Sequence, residues 1–237
     1  MISAVQKQTN LGFRFLTIVP KPCFLNLSCS ILKNKNMKNL VIYAHPNSGS
    51  LNHFFKQTVI ENLQESGQEI VIRDLNAINF NPVLSLEDMN GQRIGEVADD
   101  VKTEQDFITW ADRIIFIYPI WWTGMPAIMK GYIDRVFSYG FAYRYDQGVQ
   151  KGLLTGKKTI IINSHGKSNA EYEAMGMDKA LTLTSDTGIF IYSGLEIQRH
   201  FYFDKADRAS AEDILKWKYE LISILKENEK ITKTLEF

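Results

Sequence analysis

The sequence predicts an α/β fold built on one parallel sheet with helices on both faces. Short apolar, β-branched runs alternate five times with segments of helical apolar spacing, the pattern of successive right-handed crossovers. The 237 residues suffice for one sizeable core, and 45% hydrophobic with 23% charged residues is an ordinary soluble composition. Polar or aromatic turns follow several strands, where open parallel sheets bind ligands.

The first strand is residues 39–45 (NLVIYAH), followed by a polar turn at 46–50 and a helix from Leu51 to about Ser66, with Ser50 as its N-cap and Gly67 as its stop. Residues 69–75 read as the second strand. The stretch 76–95, with Pro82 and Gly91, reads as a long irregular loop of the kind that is functional or mobile. A helix at 97–111 leads into the third strand, 113–118 (RIIFIY), and the aromatic turn after it leads into a helix at 127–138. Residues 139–156 read as a second irregular excursion carrying Phe141, Tyr143 and Tyr145. The fourth strand, 158–164 (KTIIINS), ends at His165-Gly166. A helical segment at 170–187, a fifth strand at 196–203 and an amphipathic helix at 209–228 complete the chain. The switch point of such a sheet falls between the first and third strands.

Residues 1–36 differ from the rest. They hold five basic side chains, no acids and both cysteines, Cys23 and Cys29, which leaves 22 basic and 27 acidic residues in 37–237. A mildly acidic body does not suggest a nucleic-acid binder, and a cysteine-free body has neither a disulfide framework nor a thiolate metal site. This fits a reducing, cytoplasmic setting. The leader has no apolar run long enough to span a bilayer and only a loose likeness to a secretory signal. The expectation is a single domain over 37–237 starting at Met37, with 1–36 disordered or outside the functional fold.

The chain is organised around residues 119–131 (PIWWTGMPAIMKG), where strand, aromatic turn and helix meet. Trp121 and Trp122 read either as core aromatics or as π surfaces for a planar ligand. Neighbouring tryptophans after a strand do not easily both face the core, so at least one is expected in the crevice. The first turn, His45 to Asn52, lacks a GxGxxG fingerprint but offers hydroxyls, an amide and backbone donors at a helix N-terminus, suited to phosphate. Its plainer reading is a polar turn capped by Ser50. His165 falls on the same edge as His45 and the tryptophans. Tyr143 and Tyr145 project the same way if extended, as surface aromatics or as a pocket wall. Residues 152–157 (GLLTGK) fail as a phosphate loop, because one residue is missing between the glycines and a strand follows. The four histidines lack metal-ligand spacing, and there is no GxSxG elbow.

Together these residues resemble the flavodoxin-like NAD(P)H:quinone oxidoreductase family, of the DT-diaphorase type and its bacterial relatives. The resemblance covers nearly all of 38–237: a first strand closing on His45 with Ser50 and Asn52, then PIWWTGMPAIMKGYIDRVF, then GFAYRY, then Ser164-His165-Gly166 with Tyr172. It implies a flavodoxin-like three-layer sandwich with a five-stranded parallel sheet in order 2-1-3-4-5, and a two-fold homodimer with flavin at the interface. It places His45, Ser50, Leu51 and Asn52 on the flavin phosphate or pyrophosphate, and Pro119, Ile120, Trp121, Trp122 and Thr123 along the isoalloxazine. Ser164, His165, Gly166 and Tyr172 fall to its pyrimidine side, while Tyr143 and Tyr145 line the substrate pocket across the dimer. His165, Tyr143 and Tyr145 are the catalytic candidates.

Two departures stand out. The chain has Ser164-His165-Gly166-Lys167 where well-known members have Thr-Thr-Gly-Gly, and Asp178 where they have a histidine. The implied function is two-electron reduction of quinones or similar electrophiles by NAD(P)H in ping-pong fashion, with FAD favoured and FMN the alternative. The competing expectations are a flavin-binding regulatory subunit touching a membrane ion-efflux system, and a one-electron carrier.

Overall fold

A computed structural model describes residues 36–234 of the chain. The expectations for residues 1–36, Cys23 and Cys29 included, lie outside the described residues apart from position 36 itself. The family-specific sheet order holds: β1 (Lys38–Tyr43), β2 (Glu69–Asp74), β3 (Arg113–Pro119), β6 (Lys158–Ser164) and β7 (Glu196–Phe203) form a five-stranded sheet in the order β2-β1-β3-β6-β7. Every neighbouring pair is parallel, with Leu40 opposite Val71 and Ile114, and Ile115 opposite Ile160.

Alternation along each strand divides the core in two. Leu40, Ile42, Ile114 and Phe116 face α3 (Asp99–Trp110) and α4 (Ala127–Val136), packing with Ile108, Tyr132 and Phe190. Val41, Tyr43, Ile115 and Ile117 face α1 (Leu51–Glu65) and α7 (Ala211–Thr234), packing with Phe55, Val59 and Leu221. Each such buried side chain contributes about 1.5–3 kcal/mol. β3 is buried along its whole length, as a central strand covered on both faces requires.

Three readings need correction. Residues 76–95 are not wholly irregular. They contain α2 (Leu86–Ile94), started by a reciprocal capping box between Ser85 and Asp88 and stopped by Gly95 in the left-handed region. Its exposed Leu86, Met89 and Ile94 do not give the helix a clear buried stripe, so periodicity missed it. Residues 139–156 contain a hairpin of β4 (Tyr143–Asp146) and β5 (Val149–Gly152), turned by Gln147-Gly148, both at positive φ. The segment read as one helix over 170–187 is three pieces: α5 (Asn169–Met175), a break at left-handed Gly176, α6 (Met177–Leu181), then a π-helix, Thr182–Ile191.

The excursion 76–95 is tied down tightly. Arg135 donates to both Asp88 oxygens at 3.1 Å, to Asp100 and to the Asn81 carbonyl, and Gly131 lets the backbone at Pro82 approach α4. A Cβ on Gly131 would sit 2.1 Å from the Pro82 oxygen.

Candidate active site

Two turns meet at the carboxyl end of the sheet, beside the switch point between β1 and β3. The first is held by its own polar groups. His45 Nδ1 accepts from Asn47 N, Asn47 Oδ1 accepts from Gly49 N, and Ser50 Oγ caps α1 by accepting from His53 N. The helix start leaves N-H groups of its first turn without intrahelical acceptors, and the helix dipole favours an anion there. Leu51 opens the helix and packs on the α1/α7 core. Asn52 is 3% exposed. Its Nδ2 donates to Ser164 Oγ at 2.7 Å, joining α1 to β6, while its Oδ1 is buried without a hydrogen-bond partner.

The second turn is strained. Pro119 ends β3, Ile120 is buried, and Ile120 N donates to Ser164 O at 2.8 Å. Trp121 and Gly124 then exchange two backbone hydrogen bonds around Trp122 (φ 50°) and Thr123 (φ 55°), a tight turn with two positive-φ residues. Such turns normally carry Asn-Gly, and each bulky residue held there costs about 1–2 kcal/mol. The strain serves presentation: Trp121 is 45% and Trp122 100% exposed. The His45 ring meets Trp121 edge-on at 5.5 Å, so the two turns form one wall.

His165 follows β6 and is 3% exposed, stacked on Tyr172 at 4.6 Å and 5°. Asn169 Nδ2 donates to the Tyr202 carbonyl, so its Oδ1 faces His165 Nε2, which therefore carries the proton. Nδ1 is left as the acceptor. It lies near the Lys167 backbone without a well-formed bond. Burial pushes His165 below its ordinary pKa, with Asn169 and Asp204 opposing, and Tyr172 is pushed up by burial. Gly166 is exposed beside them.

Within one chain, then, His45, Ser50, Leu51, Asn52, Pro119 to Thr123, Ser164, His165, Gly166 and Tyr172 occupy the carboxyl edge. Tyr143 and Tyr145 are elsewhere, on the β4–β5 hairpin: Tyr143 packs on Tyr139 and Tyr192, and Tyr145 Oη lies 2.9 Å from Tyr192 Oη.

Sequence reasoning missed a second polar cluster behind the Trp turn. His200 Nδ1 lies 2.7 Å from Asp186 Oδ1, and its Nε2 lies 2.7 Å from Asn163 Oδ1. Asn163 Nδ2 donates to the Tyr118 carbonyl, which fixes the amide orientation and makes Nε2 a donor. A proton must therefore also lie between Nδ1 and the carboxylate, or two lone pairs would face each other. Burial pushes the His200 pKa down and Asp186 opposes it. The three partners come from the π-helix, β7 and β6, 14 and 37 residues apart, so no local spacing signals them. His200 and Asn163 line a cavity of about 320 Å³ together with Ile120, Thr123 and Gly124, while Asp186 holds His200 from outside that lining.

With this geometry in hand, comparison with known proteins is decisive. The model of the family described as "Flavodoxin-like fold" matches residues 37–221. A Haemophilus influenzae protein named as an uncharacterized NAD(P)H oxidoreductase is 39% identical over 202 residues, 81% of this chain and 100% of that protein. The chain belongs to the flavodoxin-like NAD(P)H:quinone oxidoreductase family. Other members fit the same frame. Rat NAD(P)H dehydrogenase [quinone] 1 is 32% identical over 178 residues, 67% of this chain and 65% of the rat protein. The structure of NAD(P)H:quinone oxidoreductase from Methanothermobacter marburgensis superposes with a TM-score of 0.73 at 25% identity, covering 82% of this chain and 98% of that one. Among the described residues, no helix is long and apolar enough to cross a membrane, and no cluster of acidic, histidine and cysteine side chains could hold a metal ion.

Proposed function

We propose that this protein is a flavin-dependent NAD(P)H oxidoreductase that makes two-electron transfers to quinones or similar electrophiles, the two substrates using one crevice in turn. The observation that carries this reading is the strained turn that presents Trp121 and Trp122 beside the start of α1, within a chain of this family. The residues fit a flavin: exposed indoles for the ring, a helix N-terminus for the phosphates, and the buried, unpartnered Asn52 Oδ1 for a polar group of the ligand.

When bound, the flavin supplies hydride acceptance and donation. The chain's own residues bind, orient and hold charge. His45, Ser50, Leu51 and Asn52 take the phosphate end. Pro119 to Thr123 support the ring with side-chain walls and turn backbone. Ser164, Gly166 and Tyr172 form the side where fixed donors meet developing negative charge without reorganising, with His165 stacked on Tyr172 and its Nε2–H held by Asn169. We favour FAD over FMN, and a cytoplasmic setting.

We place Tyr143 and Tyr145 in the crevice of a second copy, making the active unit a homodimer. Their position on a hairpin away from their own crevice supports this, as does the exposed apolar face of α2 whose Met89 lines a recess with Tyr139 and Tyr143. The test is an absorbance spectrum of the purified protein, identification of the flavin released by acid, and sedimentation equilibrium. Flavin bands, released FAD and a dimeric mass are expected. Protein that takes up no flavin on reconstitution would overturn the reading.

A further inference from the structure

Behind the Trp turn, Ile120, Met125, Leu181 and Ile189 give the cavity of about 320 Å³ apolar walls, and it opens past half-exposed Lys130 and exposed Thr184. What selects a ligand here is the state of the polar groups on the lining, which are already engaged within the protein. Thr123 Oγ1 donates to the Trp122 carbonyl at 2.7 Å, Thr184 Oγ1 donates to the Ala180 carbonyl at 2.9 Å, and Lys130 Nζ is paired with Asp134 at 2.6 Å. His200 and Asn163 hold each other at 2.7 Å, with Asp186 on the other ring nitrogen and the Tyr118 carbonyl on the amide. The N-H and carbonyl of Gly124 are both taken by Trp121. The Tyr118 hydroxyl lies toward Ser185 and Asn163, and the hydroxyls of Tyr202 and Ser185 are closed to solvent, so none of the three reaches a guest.

A charged guest would give up its hydration here and find no partner, and water needs two to four polar partners to settle. The Asp186–His200 pair shares one proton and adds no net charge beside the lining. Apolar cavities of about 150 Å³ stay dry and take one benzene ring, so about 320 Å³ has room for two fused rings. One wall is the Trp turn itself. Ile120, Thr123 and Gly124 line the cavity, and the turn is closed by two backbone hydrogen bonds while Trp122 and Thr123 sit at positive φ. A guest packs against the back of that turn, whose front carries the exposed tryptophans, and adds dispersion contacts to it.

We propose that this cavity is a second ligand site, separate from the crevice the two substrates share, for a small uncharged aromatic hydrocarbon, and that its occupant steadies the Trp turn and so tightens the flavin. By linkage, flavin tightens the occupant by the same factor. The coupling rests on the flavin reading above; the site does not.

The test is calorimetric titration of naphthalene into the flavin-loaded protein, beside a naphthalenesulfonate that carries a charge on the same rings. Naphthalene is expected to bind one to one and the sulfonate at least about tenfold more weakly. Thr184→Phe, which puts a ring at the mouth, is expected to weaken naphthalene by about tenfold. A bromonaphthalene soaked into crystals shows its position by anomalous scattering, expected between Ile120, Met125 and Ile189. Flavin release on dilution is expected to slow several-fold at saturating naphthalene. No binding, a sulfonate that binds as tightly as naphthalene, or bromine found against Trp121 and Trp122 in the crevice would each overturn the site. Flavin release that is unchanged or faster would overturn the coupling. Protein that carries no flavin would instead contradict the reductase reading, and it shows in the spectrum before any naphthalene is added.

Discussion

The two ends of the sheet treat their buried polar groups in opposite ways. At the amino end, fully buried Arg113 donates Nε to Asn39 Oδ1 at 2.7 Å and a second N-H to Gln68 Oε1, while Asn39 Nδ2 donates to Gln68 Oε1 and to the carbonyls of Met37 and Glu69. At the carboxyl end, Asn52 Oδ1, Tyr202 Oη and Ser185 Oγ are buried without a well-formed bond, and Trp122 and Thr123 hold positive φ. One end spends its polar groups on itself and makes the fold. The other withholds them and stores strain, as ligand sites do.

The strongest way to break this contrast is at the closed end. Arg113→Met leaves buried Asn39 Oδ1 without its Nε donor, while Gln68 Oε1 keeps Asn39 Nδ2, and is expected to lower the unfolding free energy by about 3 kcal/mol. Urea unfolding of protein stripped of flavin reads this directly. The flavin affinity of the folded fraction should not move. If stability is unaltered, the amino end is not the fold's anchor.

At the open end the sign should reverse. The double change Trp122→Asn with Thr123→Gly gives the turn the residues its geometry favours, and is expected to raise stability by about 1–2 kcal/mol while weakening flavin. Trp122→Ala, at a fully exposed position, should leave stability within about 0.5 kcal/mol and still weaken flavin several-fold. Flavin binding and turnover unchanged in both would show that the turn does not hold the ring.

A smaller effect lies on the acid side. His165 is held by burial below its ordinary value of 6.5, so the unfolded chain takes up a proton before the folded one. This contribution to stability is fully present above pH 6.5 and is lost as pH falls toward the lowered folded-state value. Each histidine adds at most about 1.4 kcal/mol per pH unit to the slope. Burial lowers the His200 pKa in the same direction, with Asp186 opposing it. His165→Gln should flatten the slope of urea stability between pH 7 and pH 5.5; an unchanged slope would place the imidazole in water.

What was legible in the sequence follows from whether a feature is local. The strands were legible because short β-branched runs such as residues 113–118 suit buried central strands, and the Trp turn because PIWWTGMP has few other uses. Helix α2 left a local mark, the Ser85-to-Asp88 capping box, but its exposed Leu86 and Ile94 hid the buried stripe that periodicity needs. The hairpin left Gln147-Gly148, a weaker signal than Asn-Gly. The Asp186–His200–Asn163 cluster left none, since register between β6 and β7 and the winding of the π-helix bring those residues together. Nor does the sequence show that Tyr143 and Tyr145 stand apart from the edge that holds His45, Trp121 and His165, since only the placement of the hairpin decides it.

The most direct test of the central claim is anaerobic addition of NADH or NADPH to the flavin-loaded protein, followed by menadione, with the visible spectrum recorded throughout. The account predicts flavin bands that bleach straight to the two-electron reduced form and return on menadione. Flavin that stays oxidised with both nucleotides, in protein that binds it tightly, would contradict it.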